Sequence, residues 1–122
     1  MTTMTPPKQS CQRDDVVLVL FPHSDLQTAK PRPALVVRSD GLQTGLPQVV
    51  VAMISSKVSR FGHLSRVLVP VRSSAGQQSG LLTDSVVMTD NLATVLDRAI
   101  GRVVGSLPMH DVDAALRHTL GL

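Results

Sequence analysis

A series of short β-branched apolar runs, each cut off by Pro, Gly, Ser or Asp, restricts this chain more than any other feature. Val16 to Phe21, Ala34 to Arg38, Val49 to Ile54 and Val67 to Val71 have the length and composition of strands. Ser85 to Met88 and Leu92 to Val95 continue the series, and Ile100 to Gly105 reads as a further strand or a short helical turn. Strands this short and this closely spaced close on one another as a small barrel or sandwich. Val49-Val50-Val51-Ala52-Met53-Ile54 shows no polar alternation, so it belongs at the centre of a sheet, covered on both faces. Ser55 to His63 and Arg72 to Gly80 read as flexible loops.

The last segment changes period. Met109, Val112, Leu116 and Leu120 recur at helical spacing with Ala115 beside them, and that face is expected to pack on the sheet or on a partner. Pro108 suits the first turn, Asp111 and Asp113 suit the positive end of the helix dipole, and Gly121 supplies a stop. His110 and His118 lie on this helix without a second ligand nearby in sequence and read as surface residues.

A chain of 122 residues is long enough for one core and too short for two ordinary ones. Residues 1–12 read as a loose tail ahead of a single domain, 13–122. Cys11 is the only cysteine, which excludes an intrachain disulfide and a cysteine metal cage and favours a reducing, cytoplasmic setting. The N-terminus lacks a charged segment followed by an apolar one, and no apolar run approaches the roughly 20 residues that span a bilayer. No membrane association, metal or cofactor is expected.

The formal charge of +3 is unevenly placed. From Lys30 to Arg72 there are seven cations and one acid, Asp40, whereas acids prevail elsewhere. Such a basic face steers polyanions, RNA being the obvious one, although solvated strand and loop residues would look the same. Phe21 and Phe61 are the only aromatics. A platform that stacks many bases is therefore excluded, and RNA would be held by charge, hydrogen bonds and backbone groups. Phe21, at a strand end, reads as core.

Within this frame a few side chains have the chemistry to act on a phosphodiester. Arg32 stands between Pro31 and Pro33, which limit the backbone on either side of a permanently charged, planar donor fork. Ser55 sits where an apolar strand meets a polar loop and could donate to the same phosphate, though a serine there is also an ordinary turn residue. His23 has the pKa for proton transfer, about 6.5 when unperturbed, yet Pro22-His23-Ser24-Asp25 also reads as a plain polar turn. Asp90 could be a general base or the partner of a nearby arginine. Lys30, Ser56, Lys57, Arg60, Phe61 and His63 complete the expected RNA-binding surface, the cations binding phosphates without reading sequence.

Five blocks in order resemble the PemK/MazF family of toxin ribonucleases: Asp15-Val16-Val17-Leu18-Val19 through Phe21-Pro22 to Ser24-Asp25-Leu26, Arg32 to Val37, Val50 to Ser56, Gly80 to Val87, and Ala114-Ala115-Leu116 to Leu122. The resemblance spans residues 14 to 122 and implies a mainly β, small SH3-like barrel of the CcdB/PemK type with a C-terminal helix. It further implies a homodimer, metal-independent cleavage of single-stranded RNA at short sequences, and a cognate antitoxin. Three positions depart from the pattern: Asp14 replaces a glycine, Ser55 replaces a threonine while keeping the hydroxyl, and Met88 replaces the arginine of an Arg-x-Asp pair ending at Asp90. RNA carries its own nucleophile, the 2′-hydroxyl, so the protein need supply charge stabilisation, proton transfer and a splayed strand. One preorganised donor at the developing charge is worth on the order of 3 kcal/mol. The alternative is a non-catalytic barrel, CcdB-like or retained for binding antitoxin or nucleic acid.

Overall fold

The computed structural model of the chain describes residues 11–22 and 29–122. Six strands and two helices follow in the order β1 (Asp15–Pro22), β2 (Ala29–Val36), β3 (Gln48–Ser55), β4 (Arg66–Val69), α1 (Ser74–Ser79), β5 (Ser85–Leu96), β6 (Ile100–Ser106) and α2 (His110–Leu120). The strands form one antiparallel sheet in the order β4-β5-β3-β2-β1-β6. A mainly β fold closed by a C-terminal helix is what the sequence predicts, and Ile100 to Gly105 is resolved as strand.

Both faces of the central strands are covered. Val16 lies opposite Leu35 and Leu35 opposite Ala52, and these three join Ile54 and Val87 in a cluster capped by Leu107 and Val112. Val17, Val19, Ala34, Val36 and Val51, the alternate residues of the same strands, form a second cluster. This is why β3 carries an uninterrupted apolar run. Each fully buried Val or Leu contributes roughly 1.5–3 kcal/mol relative to exposure.

The sequence divides β5 in two, but it is one strand with an interruption. Met53 pairs with Met88 and Ala52 with Leu92, which leaves Thr89, Asp90 and Asn91 without partners on β3. The polar triplet that separates the two apolar runs is a bulge. Arg72 to Gly80, expected to be a flexible loop, contains α1. Ser73 caps it by accepting from the Gly76 N–H at 3.0 Å, and Gly80 ends it at φ 72°. The other expected loop, Ser55 to His63, contains a single 3₁₀ turn at Val58–Arg60.

In α2 the helix starts one residue after Met109, with Pro108 outside it and Asp111 and Asp113 in the first turn. Val112 and Ala115 are buried and Met109 and Leu116 pack against the first cluster, whereas Leu120 is 55% exposed and drops out of the expected face. Arg13 ties the helix to the barrel through an ion pair with Asp113 and a bond to the Val37 carbonyl. Cys11 is also packed, its carbonyl accepting from Arg38 at 2.8 Å, so the docked chain begins before residue 13. Burial raises the pKa of its thiol. No helix among the described residues is long and apolar enough to cross a membrane.

Candidate functional site

A groove of about 650 Å³ opens where β2, the end of β3 and β6 meet the segment after α1. Lys30, Pro31, Arg32 and Pro33 line it from β2, and Ser55, Ser56 and Lys57 from the end of β3. Two apolar strands thus deliver their polar ends to one concavity, which is how distant sequence blocks come together. Arg32 is exposed and lies in register with Val19, three residues after Ala29, where β2 begins.

The hydroxyl of Ser55 accepts from the Lys57 N–H at 3.1 Å, an ST turn that bends the chain into the following loop. That bond uses a lone pair and leaves the hydroxyl proton for a ligand. The 3₁₀ turn then brings Arg60 back to the groove, where its guanidinium reaches the Met88 sulfur at 3.7 Å. A cation therefore stands beside the methionine that replaces the expected arginine.

Five cations line the groove: Lys30, Arg32, Lys57, Arg60 and Arg102. No carboxylate lines it among the described residues. Arg13, Arg38 and Arg66, by contrast, are each paired with an aspartate, Asp113, Asp40 and Asp90 respectively. The uncompensated positive charge is thus concentrated where a polyanion could lie.

Of the site residues expected from sequence, Lys30, Arg32, Ser55, Ser56, Lys57 and Arg60 share this groove. His23 lies outside the described residues. Asp90 is not part of the groove lining; Arg66 holds it at 2.9 Å, and this hydrogen bond lowers its pKa from the usual carboxylate value. The arginine pairing that the sequence allowed for is thus present. Phe61 and His63 also lie elsewhere. Beyond Arg60 the chain turns toward α2, and Phe61 lines a separate cavity with Leu68, Ala115 and His118. His63 hydrogen-bonds Ser65 Oγ at 2.6 Å and sets its ring 6.0 Å from that of His118.

Arg102, Asn91 and Thr83 line the groove and were not singled out from sequence. Arg102 stands opposite Leu18 through the β1–β6 pairing. Its signal was positional only, a cation in the middle of an apolar strand run.

Residues 12–120 match the family described as PemK-like, MazF-like toxin of type II toxin-antitoxin system. Endoribonuclease MazF2 of Mycobacterium bovis is 34% identical over 104 residues, which cover 84% of this chain and 90% of the relative. The solved Mycobacterium tuberculosis toxin MazF-mt6 superposes with a TM-score of 0.67 at 25% identity, covering 88% of this chain and 97% of its own. A mycobacterial endoribonuclease solved in complex with its cognate antitoxin gives a TM-score of 0.69 at 22% identity over 93% of this chain and 97% of its own. The fold, the order of the sequence blocks and the profile match agree, and the chain belongs to the PemK/MazF-like family of toxins of type II toxin-antitoxin systems.

Proposed function

We propose that this chain is a toxin endoribonuclease that cuts single-stranded RNA in the groove between Arg32 and Ser55. The observation that carries the reading is the convergence of Arg32, Ser55 and four further cations on one concavity without a lining carboxylate among the described residues. Relatives named as endoribonucleases support the same activity.

In the proposed reaction the 2′-oxygen attacks the adjacent phosphorus in line as the bond to the 5′-oxygen breaks. A 2′,3′-cyclic phosphate and a 5′-hydroxyl result. The 2′-proton passes to a base and the leaving oxygen takes up a proton from an acid, and His23 has the intrinsic pKa, about 6.5, for either task. Arg32 stabilises the charge that builds on the equatorial oxygens, its fork matching two of them. Ser55 donates its hydroxyl proton to the same phosphate. Lys30, Lys57, Arg60 and Arg102 hold flanking phosphates, while Ser56 extends the donor surface. The chain supplies charge, donors and position, and the substrate supplies the nucleophile, so no metal or cofactor is needed.

The partners that go with this reading are single-stranded RNA, a second copy of the chain as homodimer, and a cognate antitoxin that blocks the groove, in the cytoplasm. A relative solved with its cognate antitoxin supports the last partner. Met88 in place of the pattern's arginine favours the second reading, a non-catalytic binding barrel.

Incubation with mixed single-stranded RNA in EDTA, followed by end mapping, separates the two. Defined cuts bearing 5′-hydroxyl ends are expected. Arg32→Ala is expected to lower cleavage by at least about a hundredfold with an unchanged unfolding midpoint. Intact RNA from the folded wild-type protein supports the binding barrel, and undiminished cleavage by Arg32→Ala removes that arginine from the mechanism.

A further inference from the structure

The cations of the groove bind phosphates, which are alike in every RNA. A groove that also chooses sequence needs a side chain that meets a base edge with a donor and an acceptor together. Asn91 carries the one carboxamide among the described residues that line it. The serine and threonine hydroxyls there offer a single oxygen each, which suits too many partners to choose between bases.

Asn91 is the last residue of the β5 bulge, set between Met88, which pairs with Met53, and Leu92, which pairs with Ala52. Its two predecessors anchor the bulge. Thr89 donates both its hydroxyl, at 2.6 Å, and its N–H, at 3.0 Å, to the Ser65 carbonyl, and Asp90 is held by Arg66. None of these bonds engages the carboxamide of Asn91, which is exposed. The backbone is thus fixed while the polar end stays open to a ligand, so little ordering is needed on binding. Met53 and Met88 line the same groove, which has no aromatic among its described lining residues. Thioethers make favourable contacts with aromatic rings, so a base can rest on the methionines while its edge meets the amide.

We propose that Asn91 reads one base of the RNA substrate; this rests on the endoribonuclease reading of the groove and adds the source of its sequence selectivity. A carboxamide held in one orientation presents N–H on one side and C=O on the other. Adenine and cytosine place an amino donor where guanine and uracil place a carbonyl acceptor. One orientation therefore fits the amino pair or the keto pair, and not both. Bases of a single strand expose this edge because no partner strand occupies it.

The test exposes the full-length protein to single-stranded RNA with randomised positions, in EDTA, and sequences the cut ends. In parallel, Arg32→Ala, alone and combined with each Asn91 substitution, retains uncut RNA on a filter for sequencing. At one position of the preferred sequence the wild type is expected to separate amino from keto bases by about tenfold. Asn91→Ala erases that preference and leaves the other positions and the salt dependence of binding unchanged, since no charge is lost. Asn91→Asp, an acceptor only, shifts the same position toward guanine, whose N1–H and N2–H2 are adjacent donors. Unfolding midpoints of both variants match the wild type. A preferred sequence unchanged by both substitutions, a loss spread equally over all positions, or cutting and retention without any base preference overturns the proposal. Wild-type protein that retains RNA with this preference but leaves it intact refutes cleavage in the groove and upholds base selection by Asn91.

Discussion

Arg66 on β4 grips Asp90 on β5 along one edge of its guanidinium, at 2.9 and 3.4 Å, and turns its remaining nitrogen to the Arg60 carbonyl at 2.9 Å. One residue thus links the β5 bulge to the turn that returns Arg60 to the groove. We propose that in this arrangement Asp90 acts through Arg66 and not on substrate. Asp90→Asn is therefore expected to lower RNA cleavage by less than about tenfold, well short of the loss a missing transition-state donor causes. The bond from Arg66 lowers the folded-state pKa of Asp90 below its unfolded value. Its stabilisation is accordingly complete above about pH 4 and is lost as the pH falls through the folded value. Unfolding midpoints should show a small deficit for Asp90→Asn at pH 7 that closes under acid; a deficit that persists at low pH would assign the effect to packing.

Close backbone packing of α1 on β6 makes a second prediction. A Cβ added at Gly105 would lie 2.4 Å from the Ser79 carbonyl carbon and oxygen and 2.5 Å from the Gln78 oxygen. These are backbone atoms and cannot swing aside. Gly105→Ala should cost roughly 2–3 kcal/mol, seen as a fall of about 10 °C in the unfolding midpoint. RNA binding should weaken as well, because Leu81, Leu82 and Thr83 enter the groove directly after α1. Gly101→Ala is the control, since its Cβ would meet only Leu18 O at 3.5 Å, an ordinary contact.

Much of this was legible in the sequence because it is local. The apolar runs mark β1 to β3, and the period of Met109 to Leu116 marks α2. What was not legible depends on contacts between distant segments. Thr89-Asp90-Asn91 separates two apolar runs, which are one strand only because both halves of β5 pair with β3. Ser73 to Gly80 is rich in loop residues, yet its serine cap and its small residues, Gly76 and Ser79 buried, make it a short helix against β6. In the site, Arg32 and Ser55 could be named from their flanking residues. Phe61 and His63 could not be placed, because the turn at Val58–Arg60 divides the basic loop between two faces. Arg102 was missed because its strand register, not its neighbours in sequence, brings it to the groove.

Arg102 offers a test of that register. It lines the groove from β6, opposite Leu18, with no ion-pair partner among the described residues. If it holds one phosphate, Arg102→Ala should reduce the slope of log affinity against log salt by about 0.7, the value for one contact to a single strand. KM should rise with kcat nearly unchanged, since a flanking contact is made equally in ground and transition states. A fall in kcat at unchanged KM would instead place this arginine on the scissile phosphate. Filter binding across a salt series and steady-state cleavage read the two outcomes.

Asp14 occupies the position where the family pattern has glycine, and the backbone shows why. It is the one non-glycine residue with positive φ among those described, at 82°. The conformation is held from both sides, its N–H donating to Val36 O at 3.1 Å and its carbonyl accepting from Leu107 N at 3.0 Å. A residue with a Cβ is strained there by about 1 kcal/mol, partly offset for glycine by the freedom its unfolded chain gains. The carboxyl adds a second cost. Desolvation first, then the neighbouring Asp15, raise its pKa above the ordinary value, so the charged form is less favourable folded than unfolded. Asp14→Gly should therefore raise the unfolding midpoint at pH 7. Because protonation relieves the electrostatic part, the gain should shrink as pH falls below the folded pKa, leaving only the backbone share. Asp14→Ala separates the two causes: it removes the charge and keeps the Cβ, so a gain equal to that of glycine would show that backbone strain at this turn is no larger than the unfolded-chain freedom that glycine adds.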